Sequence, residues 1–152
     1  MYRAFREEVP ETEETLPIGT AQVVREGIDL TLIAYGAMMR PTLQAADLLR
    51  TEDGVEAEVI DLLTISSLDH ATCAASVRKT GRTVIVAEAP RSFGPTAEIV
   101  ARLVETSFWY LEAPVRRVTG FDVIVPSFAY EQAYLPSAQR VVRAARDTLH
   151  AE

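Results

Sequence analysis

Two carboxylates stand where a parallel α/β sheet would place its chemistry. Asp61 lies near the end of the apolar run Glu58–Leu62, and Glu88 follows the run Thr83–Ala87. Open sheets of this kind bind ligands at the carboxyl ends of their strands, so each acid is a candidate for ligand contact or phosphoryl acceptance. A receiver-type phosphoacceptor also needs paired acids after the first long strand and a lysine after a later one. Tyr35-Gly36-Ala37 supplies no acids, and Arg116-Arg117 fall inside the last strand. Capping or ion pairing at the strand ends accounts for both carboxylates more simply. A small-ligand or phosphoacceptor domain built on Asp61 or Glu88 stands as the alternative.

The remaining reactive residues carry less. No G-x-G-x-x-G follows a strand and no G-x-x-x-x-G-K-[ST] occurs, so neither nucleotide motif is present. Tyr35-Gly36-Ala37-Met38 has one glycine and reads as a tight turn. His70 and His150 form no metal-ligand spacing with Cys73 and read as surface residues, and Cys73 reads as a small packing residue within a helix. No catalytic, cofactor-binding or metal-binding residue is assigned. The densest polar turn is Glu88-Ala89-Pro90-Arg91-Ser92-Phe93-Gly94. Arg91 is placed to hold an anion at a helix start. Arg beside an aromatic residue is also what subunit contacts favour, so Glu88, Pro90, Arg91, Phe93 and Gly94 form the candidate interface. The alternative is a solvated loop with Phe93 folded back on its own core.

These residues depend on a strand, turn and helix rhythm stated three times, at Thr31–Tyr35, Glu58–Leu62 and Thr83–Ala87. Parallel strands need crossover helices and cover on both faces, which predicts a three-layer α/β/α domain around a mostly parallel five-stranded sheet. Ala21–Arg25 is a short first strand, joined so closely to Asp29–Tyr35 that a hairpin, and hence an antiparallel first strand, is expected. Thr83–Ala87 reads as the middle of the sheet, and Val115–Thr119 as its last strand. Helices are expected from Pro41 to Arg50 with Leu43, Ala46 and Leu49 facing the sheet, and from Asp69 as N-cap to about Lys79, closed by Gly81. A third opens at Gly94-Pro95 with Val100, Leu103, Val104 and Phe108 on one face, and a terminal helix buries Val141, Val142, Ala145 and Leu149.

At 152 residues the chain is long enough for one domain with its own core. Its formal net charge of -7 opposes nucleic acid and anionic membrane surfaces. A single cysteine, no secretory signal and no membrane-length apolar run predict a cytoplasmic protein. Tyr2–Thr15 is rich in Glu without apolar periodicity and reads as a linker or arm.

Leu16-Pro17-Ile18-Gly19 with Val24-Arg25-Glu26-Gly27, Thr31-Leu32-Ile33-Ala34-Tyr35-Gly36, Glu58-Val59-Ile60-Asp61-Leu62, Lys79-Thr80-Gly81-Arg82, Glu88-Ala89-Pro90-Arg91 and Arg117-Val118-Thr119-Gly120-Phe121-Asp122 stand in that order. Together they resemble the C-terminal domain of the β subunit of thiamine diphosphate-dependent 2-oxoacid dehydrogenases, which has the transketolase C-terminal fold. Arg117–Asp122 and Tyr134-Leu135-Pro136 resemble branched-chain (2-oxoisovalerate) members more than pyruvate ones. The resemblance implies thiamine diphosphate and magnesium in the complete enzyme. The α subunit would hold the diphosphate and metal, and the N-terminal part of the β subunit would cover the pyrimidine ring. It implies an α subunit, a second β subunit and a dihydrolipoyl acyltransferase core as partners. The role would be assembly and docking, with no decarboxylation by the isolated domain. Because the resemblance already holds at Tyr2–Arg6, the chain reads as a piece of a longer one: residues 1–16 an arm from an upstream domain, residues 17–152 the transketolase C-terminal-like domain. Transketolase and deoxyxylulose phosphate synthase share the fold, with closing motifs that differ from Thr119-Gly120-Phe121-Asp122.

Overall fold

The computed structural model describes Glu8 and residues 15–151. The arm expected over residues 1–16 lies outside them except for Glu8, Thr15 and Leu16. Five strands form one sheet: β1 (Gln22–Arg25), β2 (Leu30–Ala34), β3 (Ala57–Asp61), β4 (Thr83–Pro90) and β5 (Arg116–Gly120), in the order β1-β3-β2-β4-β5. The last four run parallel, and β1 is antiparallel to β3.

Successive side chains of a strand point to opposite faces, and the sequence fills both. Leu30, Leu32, Val84, Val86 and Val118 face α1 (Met39–Leu48) and α5 (Ala138–Leu149), where Ala45, Ala46, Val141 and Ala145 close the layer. Ile33, Ile60 and Ile85 face the other way, onto Cys73 and Val77 of α2 (His70–Thr80) and Ile99 and Leu103 of α3 (Pro95–Ser107). The three-layer α/β/α architecture with an antiparallel first strand therefore holds.

Several local readings change. The expected hairpin does not form, because both edges of β2 are taken by β3 and β4, and β1 pairs with β3 instead. Gly27 makes the detour possible: a Cβ there would overlap the Ala57–Glu58 backbone, and beyond it the Ile28 and Asp29 amides donate to the Glu56 carbonyl at 2.9 and 3.1 Å. The centre of the sheet is β2, with β4 one place out. In α1 the buried residues are Thr42, Ala45 and Ala46, followed by Leu49, while Leu43 is 36% exposed. In α3 they are Thr96, Ile99, Leu103 and Ser107, while Val104 and Phe108 face outward. A short helix unforeseen from the sequence, α4 (Phe128–Tyr134), precedes α5. Asp69 caps α2 as expected, accepting from the Thr72 amide at 3.1 Å, and also from the Ala21 amide at 3.0 Å, which ties β1 to α2. Gly81 ends α2 with φ 68°.

A polar cluster closes the amino-terminal end of the sheet. Thr31 Oγ1 lies 2.7 Å from both Ser76 Oγ and Thr80 Oγ1, so the hydroxyl in the middle strand is satisfied. Beside it the buried Glu58 carboxylate accepts from Lys79, which also reaches Glu26 at 3.3 Å. Burial opposes the charged form of Glu58, but the hydrogen bonds from Lys79 and Ser76 outweigh it and hold the carboxyl below its ordinary value. A depressed folded-state pKa adds stability above the unfolded value of about 4.3, lost as pH falls through the folded value. Lys79→Met leaves a buried carboxylate without its cation and is expected to destabilise by about 3 kcal/mol in urea melts at neutral pH. The deficit should shrink as pH falls through the lowered folded-state value of Glu58; an equal deficit at neutral and at acid pH would refute this role.

Candidate functional site

The carboxyl ends of the strands are where the candidate residues gather. β2 is followed by Tyr35 and Gly36, the latter at φ 57°, and β3 ends at Asp61, two residues before Leu63 at φ 56°. Asp61 Oδ1 accepts from the Leu63 amide at 3.1 Å, so this carboxylate caps its own turn. Burial and the negative charge of Glu88 both raise the pKa of Tyr35. The phosphoacceptor alternative needs further acids beside Asp61 or Glu88, and among the described residues no three His, Cys, Asp or Glu side chains gather as a metal site. Among the described residues no such cluster is offered to magnesium diphosphate either.

Cys73 is fully buried, and burial pushes its thiol up to about 12, which makes it a packing residue. His70 does not lie free on the surface: its Nε2 lies 2.7 Å from Thr106 Oγ1, tying α2 to α3. Burial lowers its pKa, and Arg102 and Arg78 add to the effect. His150 follows the end of α5 and stands apart from both.

The segment Glu88–Gly94 divides differently from the sequence reading. Glu88, Ala89 and Pro90 extend β4, and only Arg91–Gly94 form the turn into α3. The turn is tight, since a Cβ on Gly94 would collide with the Pro90 carbonyl. Phe93 takes a left-handed φ of 57° and its side chain is 106% exposed, so it does not fold back on the core. That conformation costs a non-glycine residue roughly 1–2 kcal/mol.

A second segment holds the turn in place. The Ser92 amide donates to Asp122 Oδ1 and the Ser92 hydroxyl to Oδ2, each at 2.8 Å. These two bonds hold the Asp122 carboxyl below its ordinary value, against a small opposing effect of burial. Arg117 Nη1 donates to the Arg91 carbonyl at 3.1 Å, and Arg140 Nη2 to the Thr119 carbonyl at 2.6 Å, with its guanidinium 4.6 Å from the Phe121 ring centre. Phe93 is exposed on one side of the tether and Phe121, Val123, Ile124 and Val125 are exposed in the segment around Asp122, Ile124 at 94%. The candidate interface read from the sequence, Glu88, Pro90, Arg91, Phe93 and Gly94, falls at the end of β4 and in this turn, and that reading did not include Asp122 or Val123–Val125. The run Val123-Ile124-Val125 before Pro126 was the available signal.

A parallel α/β sheet with one antiparallel edge strand and helices on both faces defines a domain of the doubly wound class. The chain belongs to the transketolase C-terminal domain family, whose model matches residues 19–141. It is 47% identical over 149 residues to the pyruvate dehydrogenase E1 component subunit beta of Bacillus subtilis (strain 168), covering 98% of this chain and 46% of that protein. The protein of the same name from Staphylococcus aureus (strain Mu50 / ATCC 700699) is 46% identical over the same shares. The chain therefore spans about half the length of the curated relatives it matches. Among solved structures, a split-gene transketolase described as an inactive β4 tetramer superposes with a TM-score of 0.76 at 28% identity, over 94% of this chain and 45% of that one. Among the described residues, no helix is long and apolar enough to cross a membrane.

Asp122→Ala removes both acceptors of the Ser92 tether. Hydrogen exchange at the Ser92 amide is expected to speed up at least several-fold while amides of β2 and β4 keep their protection; unchanged exchange at Ser92 would show that the tether does not hold the turn.

Proposed function

We propose that this chain is the C-terminal part of the β subunit of the decarboxylating component of a 2-oxoacid dehydrogenase complex, and that it serves assembly and docking. The observation that carries this is the apolar surface at the carboxyl ends of the strands. There Phe93 is held in a strained conformation, pointing away from the fold, by a dedicated tether. Exposed apolar side chains on either side of the Ser92–Asp122 tether, beside Arg91, are what a partner surface requires. The names of the most similar curated relatives favour the pyruvate type. The branched-chain type rests on the likeness of Arg117–Asp122 and Tyr134–Pro136.

On this reading thiamine diphosphate and magnesium belong to the complete enzyme and are held elsewhere, and this part takes no catalytic step. Its partners are an α subunit, a second β subunit and the acyltransferase core, in the cytoplasm. The transketolase C-terminal-like unit is assigned to residues 17–152 and an arm to residues 1–16. The similarity to a transketolase chain that forms a β4 tetramer supports association between copies.

Sedimentation velocity on the purified chain tests the assembly surface. Self-association in the micromolar range is expected, weakened at least tenfold by Phe93→Ser combined with Ile124→Ser, with an unchanged far-ultraviolet spectrum. A chain that stays monomeric throughout, or a double variant that associates equally well, overturns it. Titration calorimetry with thiamine diphosphate and magnesium is expected to show no binding, and tight binding would overturn the division of labour.

A further inference from the structure

A groove of about 740 Å3 runs along the outer edge of β5, with α3 on one side and α5 on the other. Arg91, Arg116, Arg117, Arg140 and Arg143 line it, against one carboxylate, Asp147. A third of the chain's 15 basic residues thus collect in one place on a protein of net charge -7. Arg117 and Arg140 spend donors on backbone carbonyls rather than acids. Among the described residues neither Arg116 nor Arg143 makes an ion pair. Leaving like charges together without counterions is unfavourable, and an anionic ligand relieves it.

The layout of the arginines says which kind of anion. Val118 belongs to the core layer under α5 and Val115 packs on the layer under α3. Alternation along the strand therefore puts Arg116 on the α5 face and Arg117 on the α3 face. Arg140 and Arg143 add to the α5 side. A single phosphate asks for donors that converge on one point; these straddle the sheet edge. Among the described residues that edge is open, since β5 pairs with β4 on one side and with no strand on the other. Side chains of a strand added there would alternate between the same two faces, so consecutive acidic residues would meet arginines on both.

We propose that this groove binds an extended acidic segment of a partner protein, which adds to the sheet along β5. The Thr119 carbonyl is already held by Arg140, so the pairing stretch is short, Arg116–Val118. Few backbone hydrogen bonds are available, charge supplies most of the affinity, and binding is strongly salt-dependent. The groove shares Arg91 with the apolar surface above but includes neither Phe93 nor Ile124, so different variants test the two readings.

Fluorescence anisotropy of the full chain with fluorescein-labelled octaglutamate tests this. Micromolar binding at low salt is expected, weakened about tenfold at physiological ionic strength near 0.15 M. Arg116→Glu with Arg143→Glu should weaken it at least tenfold, and so should methylation of the peptide's backbone nitrogens. Arg143→Ala alone, expected to weaken binding by severalfold, serves if the double variant does not fold. No binding at low salt overturns the proposal. Equal binding of the methylated peptide, with displacement by tripolyphosphate at matched charge, overturns it in favour of a small-anion site. If the variants abolish self-association and leave peptide binding intact, the groove is a contact between copies and the proposal fails.

Discussion

Everything in this molecule is arranged around one strand that has no free side. β2 is buried at every residue, paired on one edge with β3 and on the other with β4, and covered by helices on both faces. Leu30, Leu32 and Ile33 each contribute roughly 1.5–3 kcal/mol by leaving water. Both faces can be apolar only because the neighbours are parallel and the crossovers carry helices over them. Thr31 is the exception within β2, and its hydroxyl is tolerated because Ser76 and Thr80 supply partners from α2. The same saturation of β2 sends β1 to the far edge of β3, which explains why a short connection does not become a hairpin.

With the strands fixed, the two ends of the sheet take different work. The amino-terminal end is closed by Glu58, Lys79 and the hydroxyl cluster, a satisfied polar arrangement. The carboxyl end carries the irregular backbone: Leu63, Ser67 and Phe93 are the non-glycine residues with positive φ among those described, and they lie in the loops after β3 and β4. Strained conformations persist only where surrounding structure holds them. At Phe93 that structure is the Ser92–Asp122 pair, which spans two strands and so acts only after the sheet has formed.

The layers, the parallel order after β1 and the caps Asp69 and Gly81 were legible because each rests on local signals: apolar periodicity, a side-chain acceptor, a left-handed residue. The strand partners of β1 were not, since pairing depends on which edges are vacant. The helix faces were off by a residue: α1 uses Thr42 and Ala45, and α3 uses Thr96 and Ser107, as packing residues that a count of large apolar side chains passes over. Phe108 was read as core for the same reason, yet it stands with Trp109 and Tyr110 on the outside. At the site, the turn was legible as a cluster of Arg, Phe and Gly. Its tether was not, because Asp122 lies 30 residues from Ser92 in sequence.

The placement of charge follows from the same geometry. An acidic chain that exposes an edge strand must discourage pairing with the wrong strand, and charged residues along the edge are the usual means. Arg116 and Arg117 serve that purpose at β5, since they repel any basic segment and give nothing to a neutral one. At the other edge, β1 exposes Val23 and Val24 and carries Arg25, whose Nη1 is paired with Asp47 at 2.7 Å. One edge is therefore neutralised within the fold and the other is left cationic. Two edges of one sheet treated so differently cannot both be generic protection against aggregation. On the two proposals above, the cationic edge would select by charge and the apolar surface at the carboxyl ends by shape. Contacts of these two kinds, on adjoining sides of β5, would allow one partner to be held for assembly while another comes and goes with ionic conditions.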